Sequence, residues 1–515
     1  MSRSIRLLPS FLTVGVWTLL SRVLGLVRDL FIAAFLGSGP VAEAFLVAFS
    51  LPNMFRRFFA EGAFNMAFVP MFSKKHEAGE GSKEFATDAL SGLAGILIIF
   101  TIIAQLAMPW LVLAMAGGFQ GDERFDLAVF FGRIAFPYIL FISLAALLSG
   151  VLNSLGRFAA AAAAPVLLNI IFISAMGLAY LSGWDIGTTL VWAVPLAGIA
   201  QLALVWVAAS RAGMRLIPRR PRMTPELKRL AIIAGPAALA GGVVQINLLV
   251  GRQVASFFDG AIAWLNYADR LYQLPLGLVG VAIGVVLLPD LSRRLQAGDH
   301  QGGKDAFNRA TEFSLALTLP AAVALVAIPL PLVSVLFERG AFDGADSLAT
   351  AKAVAIYGLG LPAFVLLKTV TPLYFAREDT KTPFKFALVS MVVNVVIAVG
   401  LAGVMGYLAA ALGTTMAAWA NLWLLWSGAK RMDGASQIDA RLARAVPRIL
   451  GASLVMGAVI WLISGWMGSY FDQSFIRYIA LVVLIGIGAI TYAACVILSG
   501  GLSVSNLKAG LKRSK

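Results

Sequence analysis

The sequence predicts an all-α polytopic membrane protein with 14 transmembrane helices, and three observations carry the prediction. Of its 515 residues 60% are hydrophobic and only 13% charged, against roughly a quarter charged in soluble chains. Apolar runs of about 20 residues, each able to cross ~30 Å of hydrocarbon, recur from end to end. Lys and Arg concentrate in alternate loops, as the positive-inside rule requires. A formal net charge of +15 would point to nucleic acid in a soluble chain. Its placement beside apolar runs excludes that partner, and no sizeable soluble domain is expected.

The first span, 9–36, exceeds the apolar region of about 7–15 residues in a cleavable signal and carries internal charges, so it stays in the membrane. GSGPVA leads to 41–72, and SKKHEAGEGSK to 87–116. GGFQGDERFD, NSLGR and SGWDIG precede 126–152, 158–181 and 186–210. SRAGMRLIPRRPRMTPELKR then leads to 226–257. It reads as a solvated linker near anionic headgroups, with Thr224 placed to cap the next helix and Pro225 at its first position. FFDGA, LSRRLQAGDHQGGKDAFNR, ERGAFDGADS and AREDTKTPFK precede 262–292, 308–337, 346–376 and 384–404. GVMG, AKRMDGASQIDARLARAVPR and SGWMGSYFDQSF precede 407–429, 446–467 and 474–499.

One alternating loop set, which includes both termini, holds 29 Lys and Arg, and the other about four. That split puts both termini in the cytoplasm and requires an even number of spans. A shift of 219 residues lays AFNMAFVPMFSKK (63–75) over AIGVVLLPDLSRR (282–294), and a shift of 225 lays Pro137 over Pro362 and Asn169 over Asn394. The implied repeat is six helices, so two parallel halves with a site between them are expected. The corresponding division is a first lobe at 1–210, a basic cytoplasmic linker at 211–225, a second lobe at 226–430, and two further helices with a basic tail at 431–515.

The chemistry lies in charges within spans, where an arginine costs about 2.5–3.5 kcal/mol on insertion scales. Arg22, Arg28, Arg56, Arg57, Arg133, Arg252, Arg270 and Lys368 stand there against Asp29, Glu61 and Asp269, with Glu43 near the outer rim. Internal ion pairs cannot neutralise that set. Arg57 and Glu61 share one helix face, which Asn53 extends. Arg22 and Asp29 are nearly eclipsed, whereas Arg28 falls about 120° from Arg22 on a regular helix. Either Arg28 faces another wall, or Gly25 breaks the helix and re-aims it. The positive excess calls for a water-filled cavity and an anionic ligand, and arginine forks onto phosphate oxygens.

Other chemistries are unsupported. The single Cys495 permits no disulfide, and His76 and His300 sit in polar loops. HExxH, GxSxG and GxxxxGK[ST] are all missing, so an enzyme is not expected. Neither a cofactor nor a metal is expected.

SRVLGLVRD (21–29), with AEAFLVAFSLPNMFRRFFAEGAFNMAFVPMFS (42–73), resembles the start of the MurJ (MviN) family of lipid II flippases. YADRLYQLPLGLVGVAIGVVLLPDLSR (267–293) and VLFERGAFD (335–343) resemble later family segments, and the likeness covers essentially the whole chain. The resemblance implies two six-helix lobes around a central cationic cavity, with the last two helices forming a lipid-tail groove. It implies transfer of the undecaprenyl-diphosphate-linked peptidoglycan precursor to the outer leaflet of the inner membrane. Arg22, Arg28, Arg56 and Arg270 match the family's cavity arginines, with Asp29, Asn53 and Glu61 in the same motifs. Glu43, Arg57, Arg252, Asp269 and Lys368 are further cavity candidates. Lipid II, membrane lipids and the cell-wall synthesis machinery are the expected partners. Some members bind sodium through acidic residues, but spans 7, 11 and 12 offer only the neutral Asn394 and Thr414. The rival readings are a polysaccharide-lipid flippase, a cation-coupled drug exporter, for which the charge excess has the wrong sign, and a non-transporting scaffold.

Overall fold

Six polar breaks in this sequence become helix starts where a carboxylate or hydroxyl stands at the cap. Asp122, Asp185, Thr224, Asp299, Asp343 and Asp439 accept backbone N–H groups from the first turn that follows, satisfying donors a helix leaves unpaired. In the computed structural model residues 7–56, 63–432, 434–471, 473 and 475–500 are described, and they are helical apart from turns, irregular connections of which 214–224 is the longest, and one isolated bridge, Arg339 to Phe342.

The helices are α1 (Leu7–Leu36), α2 (Pro40–Arg56), α3 (Ala63–Ala78), α4 (Ser82–Leu106), α5 (Met108–Met115), α6 (Glu123–Ala135), α7 (Tyr138–Ser154), α8 (Ala159–Ser182), α9 (Ile186–Arg211) and α10 (Pro225–Ala255). They continue as α11 (Ala261–Gln296), α12 (His300–Ala327), α13 (Pro329–Phe337), α14 (Gly344–Phe375), α15 (Lys381–Gly400), α16 (Ala402–Met405), α17 (Leu408–Lys430), α18 (Ala440–Trp466), α19 (Gly468–Phe471) and α20 (Ile476–Leu498). Among the described residues ten spans are long and apolar enough to cross a membrane, α6 and α7 together making one. The chain is an all-α membrane protein, and each remaining expected span coincides with α1, α2 with α3, α10 or α11.

Several expected spans are broken where backbone hydrogen bonding fails. The run 87–116 divides into α4 and α5 ahead of Pro109, 126–152 divides at Pro137, and 308–337 divides at Pro329. Proline lacks the N–H that would continue each helix. Conversely, α12 and α18 begin several residues before their apolar runs, because Asp299 and Asp439 start the helix in polar sequence.

Contacts group the chain into two units, residues 1–263 and 264–515. In the first, α1 packs on α8, α8 and α7 pack on α9, and α2 packs on α6. In the second, α15 and α14 pack on α17, α12 packs on α14, and α18 packs on both α12 and α20. The trio α7–α8–α9 is thus paired as α14–α15–α17 is, in accord with the repeat read from Pro137/Pro362 and Asn169/Asn394. This grouping falls one helix later than the sequence boundary at 211–225, because α10 packs on α3 and α4.

The connecting segment is less free than its composition suggests. Most of it is exposed, but Met214 and Leu216 are buried. Arg219 pairs with Asp88 of α4 at 2.6 Å, and its N–H donates to Ser91 Oγ at 2.9 Å. Gly95 lets Pro221 approach, as a Cβ there would lie 3.1 Å from the proline ring. The expected solvated linker is a strap laid along α4.

At the start of α18, Asn308 of α12 accepts the Asp439 N–H at 3.0 Å and donates to the Gln437 carbonyl at 2.9 Å. The buried Glu312 takes Arg441 at 3.0 Å and also Arg309, which reaches Asp439 as well. Burial alone would raise the Asp439 carboxyl, but the Leu442 N–H and the Arg309 guanidinium outweigh it and hold it below the usual carboxylate range. A depressed folded value stabilises the fold above the unfolded value of ~3.9 and is lost as pH falls through the folded one. The thermal midpoint in detergent is therefore expected to drop in acid more steeply for the parent protein than for Asp439→Asn, which keeps the cap but cannot titrate. Parallel pH profiles would refute this.

Candidate substrate-binding site

α1 is helical without interruption through Gly25, which decides between the two readings of SRVLGLVRD. Arg22 is exposed, whereas Arg28 is 7% and Asp29 2% exposed. Arg28 turns inward to the first unit, donating from Nε at 3.0 Å and Nη2 at 2.8 Å to Asp29 Oδ1, and from Nη1 to Asn169 Oδ1 at 3.1 Å. Its guanidinium carbon lies 5.7 Å from the Phe172 ring centre. Asn169 donates in turn to the Ser21 carbonyl at 2.9 Å. This approach does not depend on the glycine, since a Cβ on Gly25 would make only an ordinary contact, 3.7 Å from Asn169 Nδ2. Arg22 and Arg28 face different surroundings. The eclipsed Arg22–Asp29 pairing is replaced by Arg28–Asp29.

A guanidinium has five N–H donors, and the described bonds of Arg28 use three of them. Asp29 and Asn169 fix the plane of the fork, which is the condition for bidentate recognition of phosphate.

Arg56 is half-buried in the last turn of α2. Asn53, one turn earlier, donates to the Phe49 carbonyl at 2.8 Å and so folds back on its own helix. Arg57 and Glu61 lie outside the described residues. Arg252 is half-buried in the last turn of α10. Asp269 and Arg270 are half-buried on α11, Asp269 accepting from Gln273, and Lys368 is exposed on α14. YADRLYQ and VLFERGAFD meet within the second unit, where Tyr267 packs against Phe337 and Phe342. Nearby, Trp264 Nε1 donates to Asp346 at 2.7 Å.

Glu43 is held differently from the cavity role expected for it. It is 1% exposed, accepts Arg124 Nη1 at 2.9 Å on one oxygen and the Ile262 N–H at 2.9 Å on the other. Arg124 also pairs with Asp122 at 2.6 Å and Asp259 at 3.0 Å, and lies 4.5 Å from the Phe119 ring centre. Beside it the turn Gly117–Phe119 presses on the end of α10. The Gly118 N–H donates to Ser256 Oγ at 2.9 Å, and a Cβ on Gly118 would fall 2.4 Å from the Ser256 backbone. Arg124 was missed in sequence because DER looks like a solvated loop. The cap signal of Asp122 was the available hint that Arg124 begins a helix.

Comparison with known proteins agrees with these motifs. The family model described as lipid II flippase MurJ matches residues 32–481. A probable lipid II flippase MurJ of Rhizobium meliloti is 44% identical, the match covering 98% of this chain and 96% of the relative. The lipid II flippase MurJ of Burkholderia cenocepacia is 35% identical, with 92% of each chain covered. The solved structure of a lipid II flippase MurJ in an inward closed conformation superposes with a TM-score of 0.80 at 27% identity, covering 94% of this chain and 98% of that one. An inward-facing multidrug transporter of the MATE family, at 13% identity and a TM-score of 0.68, shares the fold alone, over 82% of this chain and 96% of its own. Matched in sequence from the arginine motif of α2 to α20, and in fold over nearly its full length, this chain belongs to the MurJ family of lipid II flippases.

Proposed function

We propose that this protein flips lipid II, the undecaprenyl-diphosphate-linked peptidoglycan precursor, from the cytoplasmic to the outer leaflet of the bacterial inner membrane. It is a transporter and not an enzyme. The carrying observation is the excess of cations inside apolar helices of a chain that belongs to this family. Arg22, Arg28, Arg56 and Arg270 take the diphosphate. Asn53, Arg57 and Glu61 belong to the same motif, and Lys368, Arg252 and Asp269 add secondary charge. The last two helices, α18 and α20, carry the polyprenyl tail, and both termini lie in the cytoplasm.

Transport proceeds by alternating access. Charges moving within the membrane field couple the cycle to the potential by about 2.3 kcal/mol per charge per 100 mV. The cell-wall synthesis machinery, by consuming the delivered precursor, draws the cycle outward.

The test is a leaflet-accessibility assay for lipid II after acute inactivation of the protein, which should stop its appearance at the outer leaflet. Normal lipid II exposure with altered surface sugars would favour a polysaccharide-lipid flippase. Arg270→Lys, which keeps the charge but loses the planar fork, should lower flipping about tenfold. Wild-type flipping by this variant would remove Arg270 from the diphosphate clamp.

A further inference from the structure

Away from the arginines of α1 and α2, a groove opens on the first unit at the end that carries the basic loops. It consists of two adjoining cavities of about 530 and 630 Å³ that share Ala160, Ala208 and Arg211. The first is closed on one side by Thr13 of α1, and its mouth carries Arg157, from the α7–α8 turn, with Arg211, the last residue of α9. Both arginines are exposed, and among the described residues neither has an acidic partner. The first turn of α8, Ala159 and Ala160, lines the same space without an acidic residue or a capping side chain, so its N–H groups add to the positive field. The second cavity runs on from Arg211 between Ala160 of α8 and a strip of α9 made by Ala200, Ala203, Leu204 and Val207.

The polarity of this groove is ordered. Two cations stand at the end where the spans leave the hydrocarbon, and below them runs an apolar channel whose alanines leave room for a chain. A free anion would have no use for the channel, and a neutral lipid none for the arginines. We propose that this groove binds an anionic glycerophospholipid, its phosphate between Arg157 and Arg211 and one acyl chain along Ala203 and Val207. The site takes a resident lipid of the bilayer and is separate from the arginines assigned to lipid II, so its test needs neither lipid II nor flipping.

The experiment uses the full chain in detergent, with Cys495→Ser and a bimane fluorophore on Val207→Cys, titrated with phosphatidylglycerol or phosphatidylcholine carrying brominated acyl chains. Phosphatidylglycerol should half-quench the probe at a mole fraction about tenfold to thirtyfold lower than phosphatidylcholine, as two juxtaposed cations imply. Arg157→Gln and Arg211→Gln should each reduce that preference about fivefold, and the pair should erase it. Equal quenching by the two lipids would overturn the proposal, as would a preference unchanged in the double variant. If excess inorganic phosphate removes the preference, the arginines form a free-anion site and the lipid assignment fails. Both arginines are exposed and, among the described residues, without an acidic partner, so the variants should keep the parent's thermal midpoint.

Discussion

Arg28→Ala is expected to abolish lipid II flipping and also to lower unfolding stability by about 3–5 kcal/mol, the range for breaking a buried ion pair from one side. Asp29 is 2% exposed, and Arg28 supplies both bonds to its Oδ1. Without the guanidinium that carboxylate stays buried, and Asn169 loses a donor at 3.1 Å. The double variant Arg28→Ala, Asp29→Ala removes the buried carboxylate as well and should recover most of the stability while leaving flipping absent. Thermal unfolding in detergent and the leaflet assay, run on the same preparations, separate the two effects. Recovery of flipping in the double variant would reduce Arg28 to a structural partner of Asp29. An unchanged midpoint in Arg28→Ala would contradict the buried pair.

Arg124→Ala should be about as costly, roughly 3–5 kcal/mol, for the same reason at a different place. Glu43 is 1% exposed and would be left with neutral backbone N–H groups, those of Ile262 and Gly260, in place of a guanidinium. The exposed Asp259 contributes little to this cost, because pairs open to solvent are worth about 0–1 kcal/mol. Asp122 would keep its cap on Arg124's backbone N–H, which alanine preserves. The loss should therefore trace to Glu43, and adding Glu43→Gln to Arg124→Ala should restore much of the midpoint. Failure of that rescue would place the cost elsewhere, with the packing of Arg124 on Phe119 as the first suspect.

The helical class, the apolar spans and the Thr224 cap were legible because they rest on local signals: apolar length, and a hydroxyl before a helix with proline at its first position. The breaks at Pro109, Pro137 and Pro329 stood in the sequence too. They were passed over because the apolar character runs straight through them, and hydropathy does not register a missing N–H. Side-chain partners were another matter. Arg28 meets Asn169 across 141 residues and Arg124 meets Glu43 across 81, separations at which only the packing register decides who meets whom. Gly25 shows the limit well. A glycine among arginines reads as a hinge, yet α1 runs unbroken through it, and a Cβ there would clear Asn169 by an ordinary 3.7 Å. Within the candidate site, then, sequence supplied the charges and not their orientations.

The strap between α9 and α10 has a mechanical consequence. A free tether passes on no force until it is taut, but one fastened at Arg219 and Pro221 has no slack to spend. Displacement of the α10 N-terminus, where Leu227 meets α4 at Gly92 and Lys75 holds Glu226, is therefore carried to α4 as by a tie-rod. The two helices must travel together or shed those fastenings first.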